Sequence, residues 1–233
     1  MKKIVIINDI HGNFSALNTI LNNLNNQHID LFIFTGDLIG IGANSNEVIN
    51  LVKTIPNKII VKGNHEDYLT TGLINPYACL ENDHHNWQKT HISDENKLFI
   101  ETIKNSEDLI IEGLSIHIEH YPKINGQTVS IIFENNYQSI LDIFNNPKAD
   151  VLIFGHNHYP QIIKKDKTII NIGACGCSNI HPGYTRYGLL TIDNKKIDIK
   201  TIEIKYDITD EIKKLDELNV PDKEFIKKTF FIK

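Results

Sequence analysis

The chain has 233 residues, 41% of them apolar and 23% charged. That is enough to bury a core without staples and too apolar for wholesale disorder. No apolar run approaches the ~20 residues that span a bilayer, and a net charge of −5 excludes a broad grip on duplex nucleic acid. Neither a membrane nor a long nucleic acid is therefore expected as a partner. Three cysteines, Cys79, Cys175 and Cys177, cannot all pair. The stretch Met1–Asp9 is too short in apolar residues for a signal-peptide core, so the expected location is cytoplasmic, with reduced thiols.

Ile4–Asn8 is a short β-branched run and reads as a buried strand. Asn13–Asn26 carries Phe14, Leu17, Ile20, Leu21 and Leu24 at helical spacing. Leu31–Thr35 is a second strand, Asn44–Ile55 a second helix stopped by Pro56, and Lys58–Lys62 a third strand. Strand and helix thus alternate in the manner of a mostly parallel sheet. From Asp67 to Asn105 the chain turns polar and helical, with Pro76, Trp87, Leu98, Phe99 and Ile103 as sparse anchors, and reads as an inserted helical cap. Asp108–Glu112 and Leu114–Glu119 form a hairpin about Gly113, Tyr137–Asn145 a helix and Val151–Phe154 a strand. Thr168–Ile172, Tyr187–Asp193 and Lys196–Ile204 are strands, and Asp210–Leu218 is a charged helix. The expectation is one domain over residues 1–233, of α/β class, with a two-layered sheet core and the cap at about 67–105.

The chemistry follows the strands. After the first comes Asp9-Ile10-His11-Gly12-Asn13, after the second Gly36-Asp37, and after the third Gly63-Asn64-His65-Glu66. The hairpin ends on His120, and Val151–Phe154 runs into Gly155-His156-Asn157-His158. In open α/β sheets, sites lie at the carboxyl ends of the strands, so these residues are expected to converge. Two carboxylates, one amide and four imidazoles (His11, His120, His156, His158) are more than one ion needs. The mixture of hard oxygen and borderline nitrogen suits manganese, iron, zinc, nickel or cobalt better than magnesium or calcium. With no cysteine in the set, a structural zinc site is not indicated. Strand alternation puts His117 and Glu119 on the face opposite Ile116, Ile118 and His120.

Each motif alone is weak; all five in this order are specific. Together they resemble the blocks D-x-H, G-D, G-N-H-D/E, H and G-H-x-H of the calcineurin-like metallophosphoesterase superfamily, and more narrowly its small prokaryotic phosphodiesterases. The resemblance implies a two-sheet β-sandwich flanked by helices and two divalent ions at its edge, manganese first among the candidates. It assigns Asp9, His11, Asp37 and His158 to one ion, and Asp37, Asn64, His120 and His156 to the other, with Asp37 bridging. It gives His65 a catalytic role beside the substrate rather than a place among the ligands. The implied activity is hydrolysis of small phosphate esters, phosphodiesters above all and nucleotides among them, by a metal-bridging hydroxide.

Departures from the pattern matter. Tyr121 replaces the usual glycine after His120 and is expected to narrow the pocket. The common Asn-Pro-Gly-Ser is here Asn171-Ile172-Gly173-Ala174. Arg186, the only arginine, could clamp a phosphate or form an ion pair. Cap residues His84, His85 and His91 are read as solvated, Cys175 and Cys177 as packing residues, and Glu66 as a support to the ligands or a helix N-terminal charge. A protein phosphatase or dinucleoside-polyphosphate hydrolase ranks lower, because no arginine follows Gly36-Asp37. A non-catalytic scaffold, as in the retromer subunit of this fold, ranks lower still, because no proposed ligand is degraded.

Overall fold

The computed structural model describes residues 1–72, 79–145, 147–178 and 180–232. Pro76 and the side chain of Cys79 lie outside them. The chain opens with β1 (Lys2–Ile7), α1 (Phe14–Asn23), β2 (Leu31–Phe34), α2 (Ser45–Thr54) and β3 (Lys58–Ile60). These are the alternating elements read from the sequence; β1 begins two residues earlier and ends one sooner than expected, and the other four are shorter by one to four residues. Next come α3 (Asn64–Thr71), α4 (Cys79–His91) and α5 (Asp94–Thr102), then the hairpin β4 (Ser106–Ile111) and β5 (Leu114–Glu119). A small hairpin, β6 (Lys123–Ile124) with β7 (Gln127–Thr128), precedes α6 (Tyr137–Ile143) and β8 (Val151–Ile153). The last part is β9 (Gln161–Lys164), β10 (Thr168–Asn171), β11 (Tyr184–Asp193), β12 (Lys196–Lys205), α7 (Thr209–Glu217), α8 (Lys223–Ile226) and a π-helical turn at Lys227–Phe231.

Two five-stranded sheets result, in the orders β12-β11-β1-β2-β3 and β4-β5-β8-β10-β9. In the first, β1, β2 and β3 run parallel and β11 is antiparallel to β1. In the second, β5, β8 and β10 run parallel, with β4 and β9 as antiparallel edges. Each sheet therefore has a parallel centre whose carboxyl ends emerge together.

Period-two alternation divides the apolar residues. Ile4, Ile6, Ile33 and Val61 of the first sheet meet Ile116, Ile118, Val151, Ile153 and Ile170 of the second in one buried cluster. The opposite face of the first sheet, with Val5, Ile7 and Phe34, packs on Leu17, Ile20, Val48 and Val52 of α1 and α2, and on Ile100 of α5. The outer face of the second, with Leu152, Phe154 and Ile169, packs on Ile140, Leu141 and Phe144 at α6. The order is helix, sheet, sheet, helix. The hairpin alternation holds, with Ile116, Ile118 and His120 buried and His117 on the other face, bonded to Asp108 at 2.8 Å. Among the described residues no helix is long and apolar enough to cross a membrane.

Candidate metal centre

The seven expected ligands all sit just past strand ends, where the chain must turn at once. Four of them, Asp9, His11, Asp37 and His156, adopt left-handed backbone with φ between 50° and 66°. Such conformations cost of order 1–3 kcal/mol each and persist where the surroundings over-determine them. Here the turns are pinned to one another. Glu66 is fully buried, and its carboxylate accepts from the backbone N–H of Gly63 (2.7 Å), Asp37 (2.8 Å), Leu38 (2.8 Å) and Ile39 (3.3 Å). It thus fulfils both roles read from the sequence, starting α3 and fastening the Asp37 turn to the Asn64 turn. Asn171 does the same on the other side. Its amide oxygen accepts from Asn8 Nδ2 (2.8 Å) and Gly173 N (2.9 Å), and its nitrogen donates to the carbonyls of Asn157 (2.7 Å) and Tyr159 (3.2 Å). Asn13 caps α1 through Ala16 N and donates to Gly176 O at 2.7 Å, holding the first turn.

Two imidazoles have their tautomer set by a carbonyl. His11 Nδ1 faces Ile39 O at 3.2 Å and His120 Nδ1 faces Thr35 O at 2.6 Å. Each carbonyl accepts the Nδ1 proton and leaves Nε2 as the lone-pair nitrogen. The His11 lone pair then meets His158 Nε2 at 3.1 Å. His120 Nε2 lies 3.0 Å from Asn64 Oδ1 and 3.3 Å from Asp37 Oδ2. Asp37 Oδ2 is also 3.7 Å from His11 Nε2, so one carboxylate oxygen lies between the two sets. Asp9 Oδ1 accepts from His156 N at 2.9 Å, while its buried Oδ2 has no hydrogen-bond partner among the described residues.

The electrostatics suit a cation at this place. Burial holds His156 down at about 3 and His158 at about 4, and keeps His11 well below the usual imidazole range. All three are neutral at pH 7, the form that binds metals. Burial acts on His120 in the same sense, but the carboxylates of Asp37 and Asp9 outweigh it and lift the ring to about 9. Asp9 is pushed up to about 7, chiefly by burial. A buried carboxylate raised by desolvation, with one oxygen lacking a partner among the described residues and neutral imidazoles beside it, is what a divalent ion would relieve. Asp37, His120 and His156 form one group whose ligand atoms lie within 4.8 Å of one another, and His11, Asp37 and His65 form another.

A third such group, His11, His158 and Cys177, was not anticipated. Cys177 Sγ lies 3.3 Å from His158 Nδ1, so this buried thiol touches a ligand ring as well as packing; only its place after the Asn171 segment could have hinted at it. Cys175 bonds Thr185 and is buried as expected.

The chain belongs to the calcineurin-like phosphoesterase family. The family model matches residues 2–160, well over half of the sequence. An uncharacterised protein of Methanocaldococcus jannaschii is 27% identical over 240 residues, covering 94% of each chain. A crystal structure of a metallophosphoesterase from Sphaerobacter thermophilus superposes with a TM-score of 0.76 at 21% identity, covering 98% of this chain and 97% of the other. A shorter stretch of 65 residues is 40% identical to a symmetrical bis(5'-nucleosyl)-tetraphosphatase of Baumannia cicadellinicola, covering 27% of this chain and 23% of that one. Members of this calcineurin-like family bind divalent metals, and the His/Asp groups above are candidates to hold them.

Three expectations need correction within this calcineurin-like site. Tyr121 does not line an open pocket. It is 2% exposed, its ring lies 4.9 Å from that of His156, and its hydroxyl accepts from Ile132 N at 3.0 Å, so it packs behind the His156 ring. Arg186 is likewise 2% exposed and paired with Glu203 on β12; of its two readings the ion pair is the one found, buried rather than at the surface, and the phosphate clamp is not. His84 and His85 are buried rather than solvated. Beyond Cys79, Leu80 and Trp87 the α4 helix is polar, too sparse an apolar pattern to show which face it buries. That choice is made by Gln88, which bonds Gly42 O and Ser45 Oγ and docks the helix on the Asp37 loop. His91 is exposed as expected and stacks on Trp87.

Proposed function

We propose that the protein is a phosphoesterase that works with two divalent ions and acts on phosphodiesters of nucleotide type. The observation that carries this is the place of Asp37 Oδ2, within 3.7 Å of His11 Nε2 and 3.3 Å of His120 Nε2, as a bridging ligand requires. Asp9, His11, Asp37 and His158 would hold one ion, and Asp37, Asn64, His120 and His156 the other. Manganese fits this oxygen–nitrogen set, as iron, zinc, nickel or cobalt would. When bound, the ions supply Lewis acidity and an acidified water.

The side chains supply the rest. The Thr35 and Ile39 carbonyls orient His120 and His11. Glu66 holds the Asp37 and Asn64 turns at a fixed separation. His65 stands beside the centre, with its backbone N–H on Asp37 Oδ1 at 2.9 Å and its ring 4.8 Å from that of His11. There it can donate a proton to a leaving alkoxide near neutral pH. We take the chain as one domain, with the described part of residues 67–105 as the cap.

The partial match to a dinucleoside-tetraphosphate hydrolase favours a nucleotide and keeps a phosphoanhydride substrate as a second reading. The test is hydrolysis of bis-p-nitrophenyl phosphate, p-nitrophenyl phosphate and a dinucleoside tetraphosphate after chelation and return of Mn²⁺. Metal-dependent cleavage favouring the diester, greatly slowed but still measurable in His65→Ala, is expected. Preference for the tetraphosphate would support the second reading, and no turnover with any divalent metal would refute both.

A further inference from the structure

The ring of His65 is enclosed on several sides, and one wall comes from the cap. His11 meets it edge-on at 4.8 Å between centroids, Tyr68 lies at 5.7 Å and His85 at 5.3 Å. Tyr68 and His85 also meet each other at 4.9 Å, edge to face. Gly40 also adjoins the ring: its φ is +88° and a Cβ there would fall 2.2 Å from His65 Nδ1. His65 and Tyr68 are three residues apart on α3, so they share a helix face. His85 comes from α4 and is 7% exposed. One turn further along the same helix, Gln88 donates to Gly42 O at 3.2 Å and accepts from Ser45 Oγ at 2.9 Å. The docking of α4 on the loop that carries Asp37 and Gly40 therefore fixes where the His85 ring stands against His65.

We propose that His85 is a positioning residue: from the cap it confines the His65 imidazole, together with Tyr68 and Gly40, and so sets the aim of that ring at the reacting ester. This rests on the reading that His65 assists catalysis. A ring caged on these sides has few rotamers open to it. A side chain that must meet a leaving group gains from this, because a displacement of about 1 Å in a reacting group can cost roughly a hundredfold in rate. The role needs a flat ring in van der Waals contact and neither a charge nor a hydrogen bond from His85.

The experiment is a double-mutant cycle on the Mn²⁺-loaded protein, reading kcat, KM and bound metal for His65→Ala, His85→Ala, His85→Phe and the double alanine variant. His85→Ala is expected to lower kcat roughly tenfold to a hundredfold with KM and metal content unchanged. His85→Phe, which restores a ring, is expected to recover most of that loss. In the His65→Ala background, His85→Ala should add nothing further, because it acts through the missing ring. An unchanged kcat in His85→Ala, or an equal loss with and without His65, would overturn the proposal. Loss of bound metal in His85→Ala would also overturn it. Full activity in His65→Ala would instead overturn the reading beneath it, so the two failures are distinct.

Discussion

Replacing Asn171 with alanine probes how the ligand turns are held. The side chain is fully buried and ties β10 to the Asn157–Tyr159 turn, to Asn8 and to Gly173. In Asn171→Ala, Asn8 Nδ2 keeps a second partner in the Phe154 carbonyl at 2.9 Å. The buried Gly173 N–H and Asn157 carbonyl lose the bonds they make to this side chain, and the part-buried Tyr159 carbonyl loses a longer one. At roughly 1–3 kcal/mol for each buried group left unpaired, the loss is about 2–6 kcal/mol. For a chain of this size, roughly 2–4 °C per kcal/mol puts the fall in Tm at about 4–24 °C. Because His156 and His158 flank Asn157, metal affinity should fall as well, by roughly tenfold to a hundredfold as when other ligand supports are removed. Urea unfolding followed by circular dichroism, beside a Mn²⁺ titration of the folded variant, measures both. A variant unfolding within about 1 kcal/mol of the parent and binding Mn²⁺ as tightly would refute the idea that this amide fastens the site.

Three more outcomes follow from named contacts. Gly40→Ala forces a side chain into positive φ and into His65 Nδ1; kcat should fall steeply while bound metal, read by elemental analysis, is retained. His84 is held down at about 4, chiefly by burial, so between about pH 4 and its unfolded value near 6.5 the unfolded chain binds the extra proton. Stability owed to this group is present above that window and lost as pH falls through it. His84→Gln should therefore show a smaller difference in urea midpoint between pH 5 and pH 7 than the parent, and an identical difference would count against the burial argument. Arg186→Met should lower Tm and leave KM unchanged, since the guanidinium serves Glu203 rather than substrate.

The parts legible in sequence were those with strong periodicity or dense motif. Ile4–Asn8, Leu31–Thr35 and Val151–Phe154 are continuous β-branched or apolar runs, and each ended in ligand chemistry, so strands and convergence could be read together. The alternation through Leu114–His120 separated His117 from His120 for the same reason. The β9 strand was missed, because Gln161–Lys164 is a short edge with lysine beside it and no clean alternation. The α4 face was missed because its burial rests on polar groups, His84, His85 and Gln88, that periodicity counts as solvent-facing. Arg186 and Tyr121 were misplaced because chain position shows nearness to a site but not the side on which a long side chain lies. The contacts of Cys177 and Asn171 depend on β10 and the Gly173–Ser178 segment passing beside the His156–His158 turn, a tertiary fact with no local signature.

The most direct test of the account is a count of ions. After chelation and reconstitution with Mn²⁺, elemental analysis of the parent should find two equivalents per chain. Asp37→Ala, lacking the shared oxygen, should hold neither ion at the same free metal concentration while remaining folded by circular dichroism. A parent that binds one ion or none, or an Asp37→Ala variant that still binds two, would contradict a dinuclear centre built around Asp37.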